Sequence, residues 1–191
     1  MKGWVELNGL EVMIIEHCAP TLAGLKTANL FNYRYDSMEG LEAELLEING
    51  KLNVKGVFVE VLKVSEVRAL LYVYRRNSLE RDMKDVEIRT LLQGFGYPGD
   101  DVAVCLERLR QRITENPCFP HEIGVFLSYP VSDVWEFIRH KGKNCKCCGV
   151  WSVYCDEHEA LKTFQRFRKC TAVYRRVFAD GKEITRLTVA A

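Results

Sequence analysis

The chain has no marked excess of charge: 27 lysines and arginines stand against 26 aspartates and glutamates, a formal charge of +1. Nucleic-acid proteins and proteins of anionic membranes carry a basic surplus, so neither class is expected. Basic runs such as Arg108-Leu109-Arg110-Gln111-Arg112 and Arg166-Phe167-Arg168-Lys169 read instead as solvated helix faces. No uncharged apolar stretch approaches the roughly 18 residues that a membrane-spanning helix needs. The opening Met1-Lys2-Gly3-Trp4-Val5-Glu6 shows no basic segment leading into a long apolar run, so no signal peptide is expected and a cytoplasmic location is. Internal repeats and low-complexity segments are also missing. A 48% hydrophobic and 28% charged composition excludes disordered and fibrous classes, and 191 residues suit one core, so residues 1–191 are expected to form a single domain.

What is present is a chain of alternating periodicities. Leu7, Leu10, Ile14 and His17 recur at helical spacing, with a start either at the capping box of Asn8 and Glu11 or near Trp4, and Pro20 expected to stop the helix. Residues 28–34 then read as a strand. Met38, Leu41, Leu45, Ile48 and Leu52 form the apolar stripe of a surface helix. The β-branched and aromatic runs 57–62 and 68–74 predict a hairpin. Helices follow through Leu79, Met83, Val86 and Thr90, through Val102, Leu106, Leu109 and Ile113, near 121–130, and from 131 to 140 with Val134, Trp135 and Ile138 inward. Residues 150–154 read as a last strand, before a long helix through Leu161, Phe164, Phe167, Thr171, Tyr174 and Phe178. The expected fold is α+β: a small sheet of about four strands covered by several helices.

Gly94-Phe95-Gly96-Tyr97-Pro98-Gly99 matches the G-x-G-x-x-G pattern, but a helix precedes it and Pro98 interrupts it. A dinucleotide loop needs a strand before the glycines and a helix nucleated by them, so the hexamer reads as a helix end and turn.

Three stretches are distinctive: His17-Cys18-Ala19-Pro20 running to Ala28-Asn29-Leu30-Phe31, Phe119-Pro120-His121-Glu122-Ile123-Gly124 running to Tyr129-Pro130, and Gly149-Val150-Trp151-Ser152-Val153-Tyr154. In these the chain resembles the bacterial domain-of-unknown-function family numbered thirty-seven ninety-three, over nearly its whole length. The resemblance implies a cytosolic bacterial protein and no defined activity. It favours a redox or iron context, with a flavodoxin-like or iron-handling partner.

Two constellations carry candidate chemistry. The first joins the irregular motifs on the expectation that they meet at one end of the sheet. Cys18 would be a nucleophile, His121 its base, and Glu122 the group orienting the imidazole. His17, Lys26, Asn29 and Tyr129 would surround a small ligand, Asn29 also serving as an oxyanion donor. The same residues read equally as a binding site without catalysis, or as plain core. The second lies in a cysteine-rich loop and strand, 141–158. Cys145, Cys148, Cys155 and His158 give C-x-x-C, six residues, then C-x-x-H, a donor set for tetrahedral zinc, or for iron in a redox role. His140 or Cys147 could substitute in that shell. In a reduced cytosol the eight cysteines read as core, metal or reactive thiols rather than as a disulfide framework. Three functions remain open: a non-enzymatic ligand- or metal-binding accessory protein, a thiol-dependent enzyme, and a zinc-stapled interaction module.

Overall fold

The computed structural model describes residues 9–115 and 118–190. The proposed Asn8 cap lies outside the described residues. Helix α1 (Leu10–Leu22) starts at Gly9 without a side-chain cap, and Glu11 pairs instead with Lys51 at 2.7 Å. Pro20 does not end the helix but sits buried in its last turn. The chain continues to Leu22 because the carbonyls of that turn find partners. Ala23 N donates to Ala19 O at 2.9 Å, and the buried Arg75 guanidinium donates to Thr21 O at 3.2 Å and Leu22 O at 3.4 Å. A cation is well placed at the negative end of a helix dipole. Gly24, at φ +72, then turns the chain into β1 (Ala28–Arg34).

The main sheet is antiparallel in the order β1-β3-β2, with β2 (Val57–Ser65) and β3 (Arg68–Arg75) forming the expected hairpin and a bulge between Val61 and Lys63. Alternation along the central strand divides the core. Ala69, Leu71 and Val73 face a layer made by α1, α2 (Met38–Leu52), α8 (Glu157–Ala179) and α9 (Ile184–Leu187). Leu70, Tyr72 and Tyr74 face the layer of α3 (Arg76–Met83), α4 (Val86–Gly94), α5 (Val102–Glu115), α6 (Ile123–Phe126) and α7 (Val131–Arg139). Helix α2 is clipped to β2 by the Asn49 amide, which donates to Val59 O and accepts from Val59 N, both at 2.9 Å.

The α+β class stands, with three local differences from the expected elements. The helix through Leu79 and Thr90 is two helices. Asp85, in extended conformation, accepts from Glu87 N at 2.8 Å and Ile88 N at 3.2 Å, so its side chain begins α4. The 94–99 hexamer is the expected turn, in which Gly96 and Gly99 take positive φ, and Asp101 caps α5 by accepting from Val104 N. Trp135 points outward at 42% exposure, whereas Val134 and Ile138 pack inward on α7 and Phe137 lines an open cavity. Residues 150–154 do not join the main sheet. Only β5 (Ser152–Val153) pairs, with β4 (Cys147–Cys148), as a separate two-stranded ribbon. That ribbon packs on α8 through Val153, Ala160 and Phe164.

Candidate ligand-binding site

The segment from Cys118 to Pro130 is irregular, yet buried polar anchors hold it. Glu122, 1% exposed, is ion-paired with Arg112 Nε and accepts from Tyr97 OH at 3.1 Å. Tyr72 OH, from the central strand, donates to Phe126 O at 2.6 Å. With Glu122 turned inward, His121 stands exposed and meets the Phe137 ring edge-on, centroids 5.0 Å apart. Gly124 lets α6 and α7 approach closely. A Cβ there would come within 2.7 Å of Val134 Cγ2 and 3.3 Å of Tyr129 Cδ2. Ser128 adopts φ +52, and its hydroxyl accepts from Thr27 N at 3.2 Å.

A second wall comes from the ribbon, which Asp133 clamps to α7. This carboxylate is 3% exposed and accepts from Trp151 Nε1 at 2.7 Å, Tyr154 N at 2.9 Å and Cys155 N at 2.9 Å. Three donors fill most of this buried carboxylate's roughly four acceptor sites. Trp151 is thereby fixed 5.4 Å from the Tyr129 ring and edge-on to Phe164 at 4.6 Å. Between Phe119, His121, Tyr129, Phe137 and Trp151 lies a cavity of about 240 Å³ with mostly apolar walls. Among the described residues that line it there is no lysine or arginine.

The two irregular motifs do meet, but not through Cys18 and His121. Contact runs through Thr27 to Ser128 and through Lys26, whose Nζ lies 4.9 Å from the Tyr129 ring centroid. Cys18 has no exposure and belongs to the α1 core, whereas Ile123, Val125 and Phe126 belong to the core on the opposite sheet face. Burial pushes the Cys18 thiol far up, with Lys26 pulling weakly the other way. Lys26, 6% exposed, is pushed down to about 8 by burial, with Cys18 opposing the shift. His17 is exposed and stacks on Phe31 at 5.2 Å. Asn29 accepts from Thr21 Oγ1 at 2.7 Å, tying β1 to α1 rather than facing a substrate. Glu122 serves Arg112 and Tyr97, not His121. Of the residues singled out in the sequence, His121 and Tyr129 line the cavity, and Lys26 backs Tyr129. Burial raises the Tyr129 phenol to about 12.

The tetrahedral donor set is not assembled. Cys145 Sγ and Cys148 Sγ lie 3.0 Å apart, but Cys155 and His158 are exposed, and Cys147 packs toward Phe164. Among the described residues no group of three or more histidine, cysteine, aspartate or glutamate side chains is arranged to hold a metal ion. The backbone of Cys155 is committed elsewhere, its N–H to Asp133 and its carbonyl to Lys146 Nζ at 2.6 Å.

Sequence reasoning missed Asp133, Phe137 and the role of Trp151. Its available signal was the glycine in Gly149-Val150-Trp151: a Cβ at Gly149 would fall 2.2 Å from Phe164 Cε2, so the ribbon must lie flat against α8. No described helix is long and apolar enough to cross a membrane. No curated protein and no solved structure matches the chain. Residues 14–188, which include all three distinctive motifs, match the family described as Protein of unknown function (DUF3793), and the chain belongs to that family.

Proposed function

We propose that this protein is a non-enzymatic binder of a small, planar, largely apolar ligand, held between Tyr129, Phe137 and Trp151. One observation carries the reading: Asp133 and Glu122, both buried, spend their hydrogen bonds on fixing the walls of an open aromatic cavity rather than on filling it. A cavity of 150 Å³ accepts benzene, so about 240 Å³ suits a one- or two-ring compound. Aromatic walls favour ring stacking, and the His121 imidazole supplies one polar contact at the rim. A nucleophilic Cys18 finds no support here, because the thiol is sealed in the opposite core and its ionisation is suppressed. The reading suits a cytoplasmic accessory protein, and we extend it to a role in redox or iron metabolism.

The test is a titration with phenol, indole and quinoline, followed by amide and indole NMR shifts. Saturable shifts confined to Gly124, Tyr129, Phe137 and Trp151, weakened at least tenfold in Trp151→Ala, are expected. Shifts that never saturate, or equal affinity in Trp151→Ala, would remove the proposal.

A further inference from the structure

The Cys145 and Cys148 side chains remain unexplained by the ligand cavity, and their placement is specific. Their sulfurs approach to 3.0 Å. Two thiolates bound tetrahedrally to one zinc at about 2.3 Å would stand about 3.8 Å apart. A separation of 3.0 Å is shorter than that and lies toward the roughly 2.05 Å of a disulfide. The approach is built by the backbone. Lys141, Gly142 and Asn144 all take positive φ (+52, +75 and +63), so the loop curls back before Cys145. Left-handed conformations at lysine and asparagine each carry a cost, and such positions cluster at functional sites. Hydrogen bonds from Lys146 N to Val153 O at 2.8 Å and from Gly149 N to Trp151 O at 3.0 Å then hold the ribbon in place. Core packing does not account for the pair, since Cys148 is exposed and Cys145 only half-buried, whereas Cys147 between them packs against the ribbon's own core.

We infer that Cys145 and Cys148 form a reversible redox dithiol that exchanges with low-molecular-weight disulfides. Cys148, the more exposed thiol, loses its proton and attacks a disulfide RSSR, forming Cys148–S–S–R and releasing RS⁻. Cys145 then loses its proton and attacks the Cys148 sulfur, closing the Cys145–Cys148 bond and releasing the second RS⁻. Two electrons pass from the protein to RSSR, and the two protons complete two RSH. The inference stands apart from the ligand cavity and does not depend on it.

Oxidised glutathione is the probe. The full chain is equilibrated in glutathione buffers of graded ratio, quenched in acid, alkylated and mapped by mass spectrometry. The expected result is one internal Cys145–Cys148 disulfide that rises and falls reversibly with the ratio. Cys145→Ser should accumulate close to one glutathione per chain at Cys148, at least tenfold more than the unaltered protein. Cys148→Ser should give neither product. Full alkylation of both thiols after equilibration in oxidised glutathione would overturn the inference, as would a disulfide from Cys148 to Cys147 or Cys155. Thiols that react only after a chelator extracts a metal would also overturn it.

Discussion

Among the described residues Lys26 is flanked not by a carboxylate but by the neutral Cys18 thiol and the face of Tyr129. Burial therefore disfavours its charged form, and the folded-state value falls from 10.5 to about 8. Below about 8 the lysine is protonated in both folded and unfolded chains, and the folded state carries the full desolvation cost. Between about 8 and 10.5 only the unfolded chain holds the proton, so this residue's contribution to stability rises with pH; above 10.5 the cost is gone. The displacement corresponds to about 3 kcal/mol, less what the Tyr129 ring returns by cation–π attraction. Lys26→Met is expected to be more stable than the unaltered protein by about 2 kcal/mol at pH 7, with the gap closing toward pH 10.5. Chemical denaturation of both proteins across that range measures it, and a gap independent of pH would refute the account. Comparing the two proteins cancels the opposing trend from Cys18 and the buried tyrosines, whose raised values lower stability in alkali.

Among the elements, the β4–β5 ribbon depends most on side-chain anchors. Among the described residues it has no strand neighbour beyond its own pair, so it is held by Asp133 from α7 and Phe164 from α8. Gly149 lies flat on the Phe164 ring, and an added methyl would overlap Cδ2, Cε2 and Cζ. Gly149→Ala is expected to destabilise by about 1–3 kcal/mol through overpacking. Faster hydrogen exchange at the Lys146 and Gly149 amides should accompany it. In a Phe164→Ala background the same substitution should cost almost nothing, which a double-mutant cycle measures. Equal costs in both backgrounds would show that the contact is not what constrains residue 149. Helix α1 shows a comparable dependence on its surroundings, since Arg75 from β3 satisfies the carbonyls that follow Pro20.

At the scale of the whole molecule, β3 is shared by both cores, with alternate residues serving each. Neither layer keeps its inner surface buried once the strand is lost, so the two are expected to unfold together. Leu71→Ala opens a cavity only on the α1 face and should cost about 2–5 kcal/mol. Its effect should nevertheless appear at the same denaturant midpoint for Ile14 methyl signals on that face and for the Trp151 indole beyond the other. Separate midpoints would mean that the layers fold independently.

Local periodicity determined much of this protein in advance. The stripe from Leu41 to Leu52, the alternation of 68–74 and the glycines of 94–99 specify a helix, a strand and a turn from short-range sterics and burial alone, and the structure has each of them. The three motifs by which the chain resembles its family were legible as runs of residues along the sequence. What only the tertiary structure decided are the meetings between distant residues. Cys18 and His121 look like partners in a linear reading, but β3 separates the core that buries Cys18 from the one that anchors the His121 segment, because adjacent side chains on a strand point to opposite faces. Asp133 carries no local signal beyond a polar place on a helix, and its role appears only when Trp151, Tyr154 and Cys155 are folded onto it. Burial without a counter-charge, at Lys26 and at Asp133, is a property of the packed interior, which no spacing along the chain encodes.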